Sequence, residues 1–207
     1  ESRLESDPFQ GRVCNFQNCY DVDILPINIT SATLKERPFI TPGSQQVDNA
    51  SSVIQLKIEA FTPEINLAEL NLHKLRFFLK GQSQYTYVLY ELLLNHCVQV
   101  VLAKGESDTR PILLNPSVIS AAGFDDDEGL LPCPDQSFPG YRLLTEYMIF
   151  PEKFLFLDMH GLDQYLDENS GHSIELYIYL NRSNLELERN LSADHFALGC
   201  SPVINLF

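Results

Sequence analysis

Three features of this sequence point to an α+β protein, strand-rich, with mixed sheets or a β-sandwich and a few short helices packed on them. Apolar and polar residues alternate with a period of two in several separate segments, helical stripes are few and short, and twelve prolines cut the chain into short pieces. With 44% hydrophobic, 11% aromatic and 20% charged residues, the 207-residue chain has enough apolar surface to offset the entropy of ordering it, which argues against disorder.

From Glu1 to about Ser52, Pro8, Pro26, Pro38 and Pro42 separate short apolar pieces such as Ile24-Leu25 and Phe39-Ile40. Thr41-Pro42-Gly43-Ser44-Gln45-Gln46 has the residue types of a turn or loop. Residues 1–52 are therefore expected to be extended lead-in segments and a loop, and residues 53–207 the α+β core domain. Ile54, Leu56, Ile58 and Ala60 alternate with Gln55, Lys57 and Glu59, the pattern of a strand with one buried and one wet face. Leu75, Phe77 and Leu79 repeat it against Lys74, Arg76 and Lys80, with Phe78 an apolar residue on the charged face and Gly81 the stop.

Ser83 is the expected N-cap of a helix whose Tyr85, Val88, Leu89, Leu92 and Leu93 fall at i, i+3, i+4, i+7 and i+8. Val98, Val100 and Leu102 return to alternation, so strand, helix and strand follow in a span of about thirty residues, long enough for a crossover connection. Asn115-Pro116 predicts a second helix of about two turns, with Gly123 in the place of a left-handed C-terminal cap. A third helix, from about Arg142 to Phe150, ends at Pro151. Phe154-Leu155-Phe156-Leu157 is a continuous apolar run, as in a central strand covered on both faces. Ile174, Leu176, Ile178 and Leu180 alternate with Glu175, Tyr177, Tyr179 and Asn181, which predicts a strand with an exposed tyrosine pair, and Phe196 to Phe207 is expected to be extended.

A formal net charge of -14 repels phosphate backbones and anionic lipid headgroups, and it suits solubility and docking to a basic protein surface. No apolar run approaches the roughly 18 residues of a bilayer span, and Glu1-Ser2-Arg3-Leu4-Glu5 is no signal-peptide start. The first residue is not Met and the chain stops on Pro202-Val203-Ile204-Asn205-Leu206-Phe207, so both ends are expected to be cut from a longer protein. Cys14, Cys19, Cys97, Cys133 and Cys200 are odd in number and irregular in spacing, which is no disulfide framework. Cys97 and Cys200 sit in apolar stretches as buried free thiols do, while Cys14 and Cys19 would pair only in a secreted chain.

Asp125-Asp126-Asp127-Glu128 could hold a hard cation, but its spacing is not that of a calcium loop, and a solvated loop fits better. Asp158 and His160 lie two apart at a strand end, hence on one face, the geometry a metal-dependent hydrolase would use. That pair has no third ligand, and His172 and Asp163 are near each other in sequence only. Nucleophile elbows, Walker-type loops, dinucleotide glycine signatures and paired-cysteine zinc spacings are absent, and no cofactor is expected. Asn49-Ala50-Ser51, Asn181-Arg182-Ser183 and Asn190-Leu191-Ser192 match glycosylation acceptors; with exposed tyrosines they would suit a secreted carbohydrate-binding sandwich. Tyr85, Tyr87, Tyr177 and Tyr179 either anchor a protein interface or fill the core with wet hydroxyls.

Several runs resemble one family in order and spacing. They are Leu75-Arg76-Phe77-Phe78-Leu79, Leu89-Tyr90-Glu91-Leu92-Leu93, Gly123-Phe124 with Glu128-Gly129-Leu130-Leu131-Pro132, and Gly140-Tyr141-Arg142-Leu143-Leu144-Thr145-Glu146-Tyr147. Phe150-Pro151-Glu152-Lys153-Phe154-Leu155-Phe156 and the closing Phe196-Ala197-Leu198-Gly199-Cys200-Ser201-Pro202-Val203-Ile204-Asn205-Leu206-Phe207 complete the set. From about Val53 onward the chain is similar to TssF, a baseplate subunit of the type VI secretion system, and Cys19-Tyr20-Asp21-Val22 with Leu25-Pro26 is similar to that family's entry to this region. Family members are much longer, so the resemblance implies a middle portion. It implies a non-enzymatic structural subunit of a cytoplasmic baseplate wedge, docked at the inner-membrane complex of a Gram-negative bacterium. Its implied neighbours are TssG, TssK, TssE, the VgrG spike and a further TssF copy. The signature residues are expected to be structural, with Pro151 ending a helix and Phe154 starting a buried strand.

Overall fold

Each alternating strand must bury its apolar face, and three antiparallel sheets do this. The computed structural model describes residues 3–8, 10–132 and 138–206, so Cys133 and Phe207 lie outside the described residues. The chain opens with β1 (Arg3–Glu5), β2 (Asn15–Asn18), β3 (Ile27–Glu36) and β4 (Ser52–Ala60). Next come β5 (Lys74–Leu79), helix α1 (Ser83–Asn95), β6 (Cys97–Ala103), β7 (Ile112–Leu114) and β8 (Ile119–Ala121). Helix α2 (Pro139–Ile149), β9 (Phe156–His160), β10 (Ser173–Leu180), helix α3 (Leu185–Asn190), β11 (Phe196–Ala197) and β12 (Val203–Leu206) complete it. Strand outweighs helix, as expected of a strand-rich α+β fold.

A five-stranded sheet runs β3-β4-β10-β6-β7, a four-stranded sheet β11-β5-β9-β8, and a three-stranded sheet β1-β2-β12. One core joins the two larger sheets: Leu56, Val100 and Leu176 from the first, and Leu75, Phe77, Leu157 and Met159 from the second. Leu89, Leu92 and Leu93 of α1 and Leu187 of α3 close it. Within residues 1–52, β3 pairs along β4 as an edge strand and gives Ile27, Ile29, Ala32 and Leu34 to the same core. No helix among the described residues is long and apolar enough to cross a membrane.

Five local expectations need correction. Ser83 is the first residue of α1 rather than its N-cap, which is Gln82. The β5-α1-β6 unit is not a crossover within one sheet, because it carries the chain from the four-stranded to the five-stranded sheet, and both strands pair antiparallel. Asn115 does cap a turn, its side chain accepting from the Ser117 N–H, but only the single 3₁₀ turn Pro116–Val118 forms. β-branched Val118 and Ile119 favour extended backbone, and Ile119 pairs with Met159 on the open edge of β9. The apolar run at 154–157 is split: Pro151–Phe154 is a 3₁₀ turn, and the strand starts at Phe156, central in its sheet and buried on both faces through Met159.

The fifth correction is the largest. Tyr177 and Tyr179 are 0% exposed rather than a surface pair. Chain segment 39–51 folds over the outer face of the five-stranded sheet, and Val47 and Ala50 pack with Val53, Val101, Ala103 and both rings. The Tyr179 hydroxyl donates to the Pro42 carbonyl at 2.6 Å, and its one proton being so used, the Thr41 hydroxyl 2.8 Å away donates to it. Cys14, Cys97 and Cys200 are free thiols, the first exposed and the other two half-buried, and burial pushes the Cys97 thiol up to about 12.

Tyr179→Phe leaves the buried Pro42 carbonyl and Thr41 hydroxyl without this partner. Urea denaturation is expected to read a loss of about 1–3 kcal/mol; an unchanged midpoint would show that the segment is not held by this hydroxyl.

Candidate functional site

The outer face of the four-stranded sheet carries charge where a covered face ordinarily carries apolar side chains. Alternation along β5 and β9 sets Arg76 opposite Asp158 and Phe78 opposite Phe156. Arg76 donates from Nε and Nη2 to the two oxygens of Asp158, each at 2.6 Å, and from Nη2 to Glu128 Oε1 at 2.5 Å. Glu128 Oε2 accepts the Gly123 N–H at 2.5 Å. The Tyr20 ring lies against the guanidinium, 4.8 Å from centroid to Cζ, and its hydroxyl donates to the Lys153 carbonyl at 3.0 Å. Burial opposes the charge on Arg76, yet the hydrogen bonds and fields of Asp158 and Glu128 outweigh it and raise its pKa further. Burial, and then Glu128, push the Tyr20 hydroxyl up.

Gly123 makes this possible. Its φ of 95° is a conformation that favours glycine. A Cβ there would stand 2.6 Å from the Tyr20 hydroxyl and 3.0 Å from the Lys153 carbonyl.

A second charged group lies under α2. Glu146 and Lys153 pair with each other at 1% and 0% side-chain exposure, and Glu146 Oε1 also accepts from the N–H groups of Leu130 and Leu131 at 2.7 and 2.9 Å. Arg142, one turn earlier, donates to the carbonyls of Asp126 and Asp125 at 2.9 and 3.0 Å. It lies against Gly129, where a Cβ would come within 3.0 Å of Nη1. Burial alone would raise the Glu146 pKa, but Lys153 and the two N–H groups prevail and hold the carboxyl below its usual range.

Helix α2 is thereby turned over. A surface helix ordinarily buries its apolar stripe, but here Arg142 and Glu146 point inward and the apolar residues point out. Tyr141, Leu144, Met148 and Ile149 are 70%, 56%, 74% and 70% exposed, and Phe138 just before the helix is 69% exposed. Asp125, Asp126 and Asp127, in the loop whose carbonyls Arg142 holds, and Glu152, in the turn after α2, are exposed; Asp126 Oδ1 lies 3.7 Å from Arg142 Nη2, while Arg142 and Lys153 are themselves buried.

The residues singled out for metal chemistry do not assemble. Asp158 and His160 do share a face, but both Asp158 oxygens are held by Arg76, and His160 Nε2 is 3.0 Å from the Ser120 hydroxyl. Asp163 pairs with His73 at 2.8 Å, not with His172. No three His, Cys, Asp or Glu side chains among the described residues are grouped to hold a metal. Asp125 to Asp127 are solvated as expected; Glu128 is not, because Arg76 and Gly123 draw it in.

Of the other residues in the family-like runs, Leu75, Phe77 and Leu89 lie in the core and Tyr90 is half-buried against it. Phe124 and Tyr147 pack on Phe154, with ring centroids 5.0 and 5.9 Å away. Leu131, Pro132 and Phe150 are exposed, Gly140 is in α2, and Pro151 opens the following turn. Pro202 is buried, Asn205 is exposed, and Leu206 pairs with Asn15 in β12. Tyr20, Arg142 and Asp158 were not foreseen as one network. The available signal was Arg142 and Glu146, one turn apart in an otherwise uncharged helix of 11 residues, with Lys153 set among apolar neighbours.

Comparison with known proteins gives the same direction. The family model described as "Type VI secretion system, TssF" matches residues 1–207. Type VI secretion system component TssF1 of Pseudomonas aeruginosa is 32% identical over 210 residues, which cover 99% of this chain and 33% of that protein. A chain in the cryo-electron microscopy structure of the type VI secretion system TssK-TssF-TssG baseplate subcomplex superposes with a TM-score of 0.77 at 23% identity, covering 99% of this chain and 37% of its own. The fold is shared, and this chain spans about a third of the length of those relatives.

Lys153→Met strands the Glu146 carboxylate in the interior and is expected to cost about 3–5 kcal/mol in chemical denaturation. Lys153→Met with Glu146→Gln, which keeps an acceptor for the Leu130 and Leu131 N–H groups, should recover most of that; a double variant as weak as the single would refute a charge-pair origin. Because folding lowers the Glu146 pKa, its contribution is complete above the ordinary value of 4.5 and is lost as pH falls through the folded value. Denaturation midpoints should therefore drop below that pH in the native chain and drop less in Glu146→Gln.

Proposed function

Given that this chain belongs to the type VI secretion system TssF family, we propose that it is a structural part of the secretion baseplate, made to be gripped by neighbouring proteins and not to turn over a substrate. The observation that carries this reading is the outward apolar face of α2 above its buried charges. A rigid apolar surface is what an assembly subunit needs, and the pairs beneath it account for charged groups that would otherwise suggest chemistry. Asp158, the centre of a hydrolase reading, is an acceptor for Arg76. The tyrosines of a carbohydrate-binding reading, Tyr177 and Tyr179, are core residues.

The partners proposed are TssG and TssK, which share a solved subcomplex with TssF; TssE, the VgrG spike and a second TssF copy extend the proposal. The proposed location is the cytoplasmic baseplate at the inner-membrane complex. The signature residues act within it by shaping the surface: Glu128, Glu146 and Lys153 from below, Tyr141 and Tyr147 from above.

Co-expression of the full-length chain with its cognate TssG and TssK is expected to yield one complex by size-exclusion chromatography with light scattering. Repeated elution of the chain apart from both would sink the assembly role. Calorimetric titration with zinc, calcium and magnesium is expected to give no binding heat; a saturable heat abolished by Asp158→Asn would revive the metal hydrolase.

A further inference from the structure

We infer that the outward face of α2 seats a second, different protein chain, one presenting an apolar centre ringed by lysine or arginine. This rests on the assembly role proposed above and identifies the surface that serves it.

The centre of the face is Phe138, Tyr141, Leu144, Met148 and Ile149, each more than half exposed. Exposed apolar side chains scattered singly are ordinary, but five together on one helix and its cap form a patch. Its chemistry is that of an interface centre: aromatic rings, methionine and no charge. The inward pairs of Arg142 and Glu146 fix the helix in this orientation before anything binds, so little ordering is left to oppose association.

The rim selects the partner. Asp125, Asp126 and Asp127, in the loop that Arg142 holds against α2, and Glu152, in the turn after α2, are all exposed, and Arg142, 3.7 Å from Asp126, is itself buried. The whole chain carries a net charge of -14. Basic groups on the partner would complement this rim and speed encounter. A second copy pairing through the same face would set acidic rim on acidic rim. A segment of the same polypeptide would need the same basic groups to meet this rim, and the cross-linking below tells it apart from a separate chain.

The test places a photo-cross-linking benzoylphenylalanine at Tyr141 and, separately, at Met148 in the full-length chain. The chain is assembled with cognate TssG and TssK, irradiated, and the adducts are read by mass spectrometry. The expected result is an adduct to a TssG or TssK peptide with lysine or arginine near apolar residues. Leu144→Glu with Met148→Glu should weaken the complex at least about tenfold while leaving the melting of the isolated chain unchanged. Asp125→Lys, Asp126→Lys and Asp127→Lys together should weaken it and flatten its salt dependence. Adducts to a second copy, adducts to another part of the same chain, or a formed complex with no adduct from either position would each overturn the inference while leaving the assembly role standing. Failure of any complex to form would remove both.

Discussion

The contact between Lys153 and Glu146, both shut away from water, decides which side of α2 faces out. Turning the helix to bury its apolar side would gain roughly 1.5–3 kcal/mol for each side chain removed from water. It would also break a buried ion pair, at about 3–5 kcal/mol. The hydrogen bonds of Glu146 to Leu130 and Leu131, and of Arg142 to Asp125 and Asp126, would go as well, each worth about 0.5–3 kcal/mol. The surface beneath would then offer the Asp125 and Asp126 carbonyls and the Lys153 ammonium to Leu144 and Met148. The charged orientation wins, and an apolar surface is left in water as its consequence.

The second network extends this constraint across the molecule. Arg76 holds Asp158 within its own sheet and Glu128 in the loop before α2, so the loop is clamped to the sheet at one guanidinium. Tyr20 stacks on that guanidinium and reaches the Lys153 carbonyl, which joins both charged groups. The Tyr20 N–H donates to Ser201 Oγ at 2.9 Å, tying in the segments that lead to and from the three-stranded sheet. Sheet, loop, helix and the segments that carry Tyr20 and Ser201 therefore meet in one polar layer. Such a layer fixes the orientation of the helix that lies above it.

Much of the scaffold was legible. Strands with strict alternation, such as Ile54 to Ala60 and Ile174 to Leu180, stand where the period of two puts them, because one face had a core to join. Helix α1 follows its stripe, and Pro151 does close α2. The misreadings share a cause. Tyr177 and Tyr179 look like a wet face until a loop remote in sequence covers them, and Asp158 looks like a free ligand until Arg76, 82 residues away in sequence, takes both its oxygens. The run at 154–157 appears uniform, although Phe154 and Leu155 belong to a turn that brings Lys153 to Glu146.

Local order determined the strands, the caps and breaks, and the choice of α+β class, since periodicity, proline and glycine act on near neighbours. Runs of residues also carried the family likeness, among them those that hold Gly123, Glu128, Glu146 and Lys153. Which faces meet water was settled only by packing. Exposure is a property of what lies opposite, and both the tyrosines hidden by chain segment 39–51 and the apolar residues displayed by α2 owe their state to partners that no local pattern names.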